Sequence, residues 1–292
     1  MKVLSVESAS KVYRTGMFGR GETVAVDDVS FSIRSGEIVS LIGESGSGKT
    51  TIGKMILRLT SVTDGRITFD GTDISTVEGR GLRQYYREVQ GVFQDPFSSY
   101  NPIFKADRVF NLIRRAYFRG TTEAVWQRKL EASLEAVSLD PAHVLNKYPH
   151  QLSGGQLQRL LIARALLLDI KYLVADEIIS MLDASTRIDV LNLLGELKAR
   201  GLGVLFITHD LSLGHYISDR TMILRKGILV ELGPTATVFG NPQHSYTKLL
   251  LDSVPQLHTK WSSNGSGRVY DDAGDRPSPT LVEVDPGHFV AT

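Results

Sequence analysis

The fold of this chain is decided by residues 43–50, which read GESGSGKT and fill the pattern G-x-x-x-x-G-K-[ST]. An apolar strand is predicted before them, over residues 38–42, and a helix is predicted after them, with four apolar residues on one face: Ile52, Met55, Ile56 and Leu59. Glycines let successive backbone N–H groups point at phosphate oxygens, and the start of the helix adds its positive dipole end. Strand, loop and helix in this order predict a phosphate-binding loop rather than a glycine-rich turn with a chance lysine.

Each part of that loop has a predicted role at a nucleotide. Lys49 places a point charge at the β- and γ-phosphates, and the Thr50 hydroxyl is placed to ligate Mg²⁺. The residues expected to contact the nucleotide are Gly43, Ser45, Gly46, Ser47, Gly48, Lys49, Thr50 and Thr51. The loop by itself predicts nucleotide binding and leaves the reaction open.

Two adjacent acids point to the reaction. Asp176 and Glu177 follow a nearly all-apolar run, residues 172–175, which suits a parallel strand covered on both faces. Because the C-terminal ends of parallel strands line the ligand crevice, we expect both carboxylates beside the phosphate loop. Asp176 can then hold the Mg²⁺ shell, and Glu177 can orient and deprotonate an attacking water. The competing interpretation, a strand end capped by solvated acids, is disfavoured by the phosphate loop.

A second glycine motif lies at residues 152–156, which read LSGGQ and open the amphipathic helix predicted over residues 157–168. Two glycines after Ser153 predict a second anion-binding helix start. One chain has no obvious use for two such helix starts at a single γ-phosphate. A site shared between two subunits would use both, one from each subunit. On these five residues alone, an ordinary serine N-cap is an equally good interpretation.

Composition excludes several classes of function. Lys and Arg number 33 against 32 Asp and Glu, a formal net charge of +1, so binding to nucleic acid through bulk charge is not indicated. The absence of cysteine excludes disulfides, a thiol nucleophile, zinc-thiolate sites and a Cys-ligated iron–sulfur cluster. No signal peptide is recognisable, and the richest apolar run, residues 160–168, falls short of the ~20 residues of a membrane-spanning helix. We therefore expect a cytoplasmic protein that does not itself cross a bilayer.

The three motifs, residues 43–50, 152–156 and 172–177, in this order and spacing resemble the nucleotide-binding domain of an ATP-binding cassette (ABC) transporter, and the resemblance covers residues 3–255. It implies an α/β P-loop NTPase of ABC type, with a mostly parallel core sheet, an N-terminal antiparallel β-subdomain and a helical signature subdomain. ATP and Mg²⁺ are the implied cofactors, and ATP hydrolysis coupled to solute translocation is the implied activity. We expect the ATPase domain at residues 1–255, its helical subdomain at about 96–165, and a partly flexible extension at 256–292 in which residues 281–284 form a strand that docks back.

Four further positions match the family one at a time. Tyr13 matches the aromatic residue that stacks on adenine, although a half-buried strand tyrosine is a serious competing interpretation. Gln94 matches the glutamine that touches Mg²⁺ and the attacking water and senses the membrane subunits. Asp183 matches the aspartate loop that crosses the dimer interface. His209 matches the switch histidine that contacts the γ-phosphate.

The resemblance also implies a site completed by a second subunit. The signature of one subunit closes over the ATP held by its partner, which gives that role to Ser153, Gly154, Gly155 and Gln156. The implied catalytic residues are Glu177, His209 and Gln94. The implied metal ligands are Thr50, Gln94 and Asp176.

Within the family, one branch is indicated by residues 93–102, 148–152 and 241–250. They resemble the ATPases of oligopeptide and dipeptide importers, and residues 94–96 resemble the second of the two paired, non-identical ATPases. The implied partners are a paralogous ATPase in a heterodimer, two transmembrane permease subunits and, through them, an extracytoplasmic solute-binding protein, with no nucleic acid. The chain is then expected at the cytoplasmic face of the inner membrane, held there by the permeases.

The solute itself is left open, because similar importers carry oligosaccharides or nickel. A soluble ABC ATPase acting on ribosomes or DNA is the alternative from another class. A single phosphate loop, the lack of sustained heptads and the balanced charge disfavour it. An exporter ATPase fits residues 246–255 poorly.

The chain departs from the family pattern in three places. Many relatives carry a cysteine cluster near the C-terminus, so no iron–sulfur cluster is expected in this cysteine-free chain. Ile178 and Ile179 replace the usual Pro-Thr after the catalytic glutamate, which bears on the geometry of the aspartate loop. Leu157 replaces the usual arginine after the signature glutamine, with no assigned consequence.

Overall fold

The computed structural model describes residues 2–15, 21–253 and 278–292. They fall into two compact units, the first comprising Met1–Arg34, Ile38–Thr76 and Phe206–Thr292, and the second comprising Ser35–Glu37 and Val77–Leu205. Most of the extension expected to be partly flexible, residues 256–277, lies outside the described residues. The predicted domain bounds at 96, 165 and 255 stay predictions.

The described residues form twelve strands and ten α-helices, with short 3₁₀ helices at Ile74–Thr76 and Pro149–Gln151. The strands are β1 (Val3–Thr15), β2 (Gly21–Arg34), β3 (Ile38–Ile42), β4 (Asp64–Phe69), β5 (Thr72–Asp73), β6 (Val89–Val92), β7 (Tyr172–Asp176), β8 (Gly203–Thr208), β9 (Arg220–Arg225), β10 (Ile228–Pro234), β11 (Leu281–Asp285) and β12 (His288–Ala291). The helices are α1 (Lys49–Ile56), α2 (Gly79–Glu88), α3 (Arg108–Tyr117), α4 (Glu123–Glu135), α5 (Pro141–Val144), α6 (Gly154–Leu166), α7 (Ala184–Ala199), α8 (Leu211–Ile217), α9 (Thr235–Gly240) and α10 (Ser245–Asp252).

The first unit contains the N-terminal antiparallel sheet, with strand order β2-β1-β4-β5. Its central strand β1 pairs with β2 on one side and with β4 on the other. The turn from β4 to β5 is formed by Asp70 and Gly71, whose φ angles are both positive, as expected for an Asp-Gly hairpin. This sheet corresponds to the N-terminal antiparallel β-subdomain that the resemblance implied.

The first unit also holds the strand that precedes the phosphate loop and the helix that follows it. Helix α1 buries Ile52, Met55 and Ile56 as predicted, but it ends at Ile56 and Leu59 is exposed, so the placement of Leu59 on the same face is wrong. Strand β3 pairs in parallel with β9, and antiparallel pairing continues through β10, β12 and β11. The prediction of a strand at residues 281–284 is confirmed, but that strand is not the one that pairs with the main body of the sheet. Strand β12 pairs with β10, and β11 is an exposed outer strand beyond it. Burial explains the difference, because β12 carries the buried residues and β11 does not.

The second unit is largely helical around the parallel pair β6 and β7, where Val92 is in register with Ala175. Two of its helices, α3 and α4, are separated by residues 118–122. Leu134 of α4 and Val137, three residues further along the chain, are both buried. Nowhere in the described parts of the chain is there a helix long and apolar enough to cross a membrane.

Candidate functional site

The phosphate loop begins where the fully buried strand β3 ends. At two positions of the loop, a neighbouring backbone comes so close that only glycine fits. A Cβ atom on Gly43 would lie 2.2 Å from the Leu224 carbonyl oxygen, and one on Gly48 would lie 2.3 Å from the Ala25 carbonyl oxygen. Gly48 also has φ +107°, a conformation that favours glycine. The loop is therefore packed against the backbones of β9 and β2 and admits no side chain at these two positions.

Lys49 is held within the loop. Its ammonium Nζ donates hydrogen bonds to the Gly43 and Glu44 carbonyl oxygens, both at 2.7 Å, and the residue is buried. The loop residues Glu44, Ser45 and Gly46, by contrast, are exposed. Lys49, the only cationic side chain of residues 43–50, is thus hydrogen-bonded to the peptide groups that a phosphate would approach.

Thr50 is the loop residue predicted to ligate Mg²⁺, and that role stays a prediction. It lies in the first turn of α1 with an exposed side chain, and Mg²⁺ takes hard oxygen ligands. No group of three His, Cys, Asp or Glu side chains suited to a metal occurs in the described ranges.

The turn between β9 and β10, which is far from the phosphate loop in sequence, is hydrogen-bonded to that loop. The Gly227 N–H donates to the Ser47 carbonyl oxygen at 2.8 Å, and the Gly227 carbonyl oxygen accepts from the Asp27 N–H at 2.9 Å. Lys226 and Gly227 both have positive φ. Sequence reasoning missed this support; the Lys-Gly pair signals a turn, but no local pattern shows what the turn contacts.

Tyr13 presents an accessible aromatic ring. It lies on β1 opposite Thr23, is 37% exposed, and has the Lys11 ammonium 5.2 Å from its ring centroid. A flat base could stack on such a ring. The half-buried strand tyrosine and the adenine-stacking residue are both compatible with this placement.

His209 stands exposed between the end of β8 and the start of α8. The next residue, Asp210, is the N-cap of α8, and its Oδ1 accepts from the backbone N–H groups of Ser212 and Leu213. The Asp210 N–H donates to the Thr208 hydroxyl. The backbone around His209 is therefore fixed on both sides, which suits a residue that must meet a ligand in one orientation.

In the second unit, the predicted acids lie at the end of β7. Asp176 is its last residue and is buried. Glu177 follows with φ +51°, a left-handed conformation that costs a non-glycine residue energy and is enriched at functional sites. The Glu177 carbonyl oxygen accepts from the Ser180 N–H and hydroxyl, which closes a tight turn. Such strain is the structural sign that the sequence alone could not show.

The departure at Ile178 and Ile179 lies within this turn. Both side chains are buried, with exposures of 1% and 2%. Two large apolar residues are therefore accommodated in the core where the family has Pro-Thr, and the turn closes without proline.

Asp183 caps helix α7. Its Oδ1 accepts from the Ser185 hydroxyl and the Thr186 N–H, and its Oδ2 accepts from the Thr186 hydroxyl at 2.8 Å. The hydrogen bonds from Ser185 and then Thr186 hold the pKa of this carboxyl well below its usual range. Asp183 remains exposed, so a preorganised anion stands at the surface at the position predicted for a dimer contact.

Ser153 is the N-cap of α6 and forms a capping box with Gln156. The Ser153 hydroxyl accepts from the Gln156 N–H at 3.1 Å, and the Gln156 Oε1 accepts from the Ser153 N–H at 2.9 Å. A Cβ on Gly155 would lie 3.0 Å from the Thr186 side chain. The structure therefore confirms the N-cap interpretation and brings the signature against the first turn of α7. The anion-binding role stays a prediction.

Gln94 is exposed two residues after β6. Its segment contacts the signature helix α6 on both sides. The Arg164 guanidinium donates to the Gly91 carbonyl oxygen at 2.7 Å, and the Tyr100 hydroxyl lies 3.5 Å from the carbonyl oxygen of Leu157, whose side chain is fully buried. Burial lowers the pKa of Arg164 and raises that of Tyr100.

The motifs and the elements that carry them define an ATP-hydrolysing cassette of the P-loop class. The chain belongs to the ABC transporter family, whose model matches residues 26–180. Residues 230–279 match a second family, the C-terminal region of oligopeptide/dipeptide transporters.

Relatives extend the match along the chain. It is 42% identical to the oligopeptide transport ATP-binding protein OppF of Bacillus subtilis, over 93% of this chain and 90% of that protein. It is 41% identical to the oligopeptide transport ATP-binding protein AmiF of Streptococcus pneumoniae, over 94% of this chain and 91% of that protein.

A solved dimeric ATP-binding cassette in a post-hydrolysis state, bound to ADP and phosphate, is also similar. Its TM-score is 0.71 at 27% identity, over 80% of this chain and 98% of that one. These comparisons confirm the predicted family and fold class and the ATPase activity: the chain is an ATP-binding ABC ATPase.

Proposed function

We propose that this chain is the ATPase subunit that energises an importer of oligopeptides or dipeptides. The observation that carries the proposal is the match of residues 230–279 to the C-terminal region of oligopeptide/dipeptide transporters. The names of the full-length relatives, which are oligopeptide transport ATP-binding proteins, support the same cargo. They do not favour the alternative of a soluble ATPase on ribosomes or DNA.

In this proposal the phosphate loop and the acids share one reaction. The loop amides and Lys49 hold the β- and γ-phosphates, and Glu177 takes the proton of the water that attacks the γ-phosphorus. His209 contacts the γ-phosphate, and Tyr13 stacks on adenine. Thr50, Gln94 and Asp176 would hold Mg²⁺, which neutralises developing charge on the phosphate oxygens.

The proposed working unit is a heterodimer with a paralogous ATPase. The signature residues Ser153 to Gln156 then face the nucleotide held by the partner, and Asp183 lies at the interface. The exposed cap carboxylate of Asp183 and the dimeric state named for the solved relative support this arrangement. Two permease subunits would bind the pair to the cytoplasmic face of the membrane and connect it with an extracytoplasmic solute-binding protein.

The proposal is tested by purifying the affinity-tagged full-length chain from detergent-solubilised membranes of its host. We expect one paralogous ATPase and two multi-span membrane proteins to copurify. Two copies of this chain without a paralogue would refute the heterodimer. In the same host, Glu177→Gln is expected to abolish uptake of labelled oligopeptides and to leave uptake of a free amino acid intact. Unchanged peptide uptake would refute the cargo.

A further inference from the structure

The peptide group between Gly43 and Glu44 is contacted at both ends by side chains. Its carbonyl oxygen accepts from Lys49 Nζ at 2.7 Å. Its N–H points at the Tyr246 hydroxyl, with 3.4 Å between the Glu44 nitrogen and the phenol oxygen. Lys49 belongs to the phosphate loop, whereas Tyr246 lies 202 residues from Glu44 in sequence and inside the region matched to the C-terminal family.

Tyr246 is itself held in place by packing. It is 4% exposed and belongs to a hydrophobic cluster with Ile42, the last residue of β3, and with Ala291 of β12. The Arg225 guanidinium lies 5.1 Å from its ring centroid. Burial, and next the Glu44 carboxylate, raise the pKa of the phenol, so the hydroxyl is neutral and available to accept the Glu44 N–H at physiological pH.

The helix that carries Tyr246 is anchored by a buried carboxylate. Glu231 of β10 accepts from the backbone N–H groups of Gln243 and His244 at 2.8 and 3.1 Å. His288 Nε2 lies 2.8 Å from Glu231 Oε1, and both side chains are fully buried. His244 Nδ1 accepts from the Tyr246 N–H and caps α10. The C-terminal strand thus fixes the position from which Tyr246 reaches the phosphate loop.

We propose that Tyr246 is a positioning residue for nucleotide binding, which holds the Gly43–Glu44 peptide when Lys49 moves its ammonium to phosphate. An ammonium with three donors cannot give both loop carbonyls and two phosphates its full interaction. As Lys49 shifts, the Tyr246 hydroxyl remains as the side-chain contact on this peptide. The loop amides that follow then keep the orientation that the phosphates require. The inference rests on the proposed role of residues 43–50 as the phosphate site.

Tyr246→Phe tests this by deleting the hydroxyl and keeping the ring. A long neutral hydrogen bond corresponds to about a two- to fivefold change in an equilibrium constant. We expect the Kd of the full-length chain for a fluorescent ATP analogue, and the KM for ATP, to rise by about that factor, with kcat within about twofold of the parent. Tyr216→Phe, which changes a 61% exposed tyrosine on α8, is the matched control and should leave Kd unchanged.

The outcomes separate this inference from the proposed function. If Lys49→Ala loses affinity while Tyr246→Phe binds like the parent, the positioning role is wrong and the phosphate site stands. If Lys49→Ala binds normally, the phosphate site itself is wrong. A purely structural role for Tyr246 would reduce the active fraction, so a lower kcat at unchanged KM would overturn the proposal. Thermal unfolding of each variant measures independently whether the chain is folded at the assay temperature.

Discussion

Replacing Gly48 with alanine would put a methyl group 2.3 Å from the Ala25 carbonyl oxygen. Real Cβ atoms essentially never approach closer than 3.0 Å, so either the loop or strand β2 must shift. The Ala25 carbonyl oxygen belongs to the backbone, so it cannot rotate out of the way as a flexible side chain could. The alanine backbone would also have to adopt φ +107° and ψ −2°, which lie outside the conformations that L-residues favour.

The magnitude follows from these two effects. A left-handed conformation costs an L-residue ~1–2 kcal/mol, and overpacking of this kind costs ~1–3 kcal/mol. The reduced entropy of the unfolded chain offsets ~0.4–1 kcal/mol. We therefore expect Gly48→Ala to lower the free energy of unfolding by about 1–4.5 kcal/mol and to weaken ATP binding through the displaced loop.

Gly46→Ala is the matched control. Gly46 also has positive φ, +81°, but nothing lies within 4 Å of its added Cβ. Only the conformational cost and its entropic offset apply, so we expect a loss of about 1.5 kcal/mol or less, and a smaller loss than for Gly48→Ala. Urea unfolding of the two variants beside the parent chain measures both losses. Equal losses would refute the reasoning, because they would show that the contact with Ala25 carries no cost.

Three further outcomes are expected. Lys49→Ala abolishes ATPase activity and weakens nucleotide binding, because residues 43–50 lose their only cationic side chain; normal turnover in a steady-state assay would contradict this. Glu177→Gln lowers kcat by ~10²–10⁴-fold while ATP still binds, since the amide cannot accept the proton of the attacking water; parental turnover in a phosphate-release assay would show that Glu177 is not the base. For Asp183, whose pKa is lowered from 3.8, the ionised cap stabilises the fold fully above about pH 4 and loses this contribution as the pH falls further toward the lowered pKa. The difference in urea midpoint between the parent and Asp183→Ala is therefore steady from about pH 7 to about pH 5 and narrows below about pH 4; a difference that widens in acid would contradict the assignment.

The sequence by itself determined the parts of this protein whose chemistry is local. Residues 43–50 could be assigned to phosphate because glycine spacing, a lysine and a helix start act within eight consecutive residues. The strand before them and the acids at the end of β7 followed from short apolar runs, and a serine N-cap at Ser153 was one of two interpretations that residues 152–156 left open. The strand predicted at residues 281–284 is likewise a short run of consecutive residues.

Only the tertiary structure decided what surrounds the phosphate loop. The contacts of Ala25, Leu224, Gly227 and Tyr246 with that loop join segments far apart in the chain, and no periodicity links such segments. The buried pair of Glu231 and His288 likewise depends on which strands become neighbours. Nor could the sequence show the left-handed backbone of Glu177, because most glutamates avoid that conformation and only the surrounding fold holds one there. Local propensities depend on residues that are neighbours in sequence. Contacts between distant segments depend on how whole helices and strands pack against one another, so they form only when the chain folds.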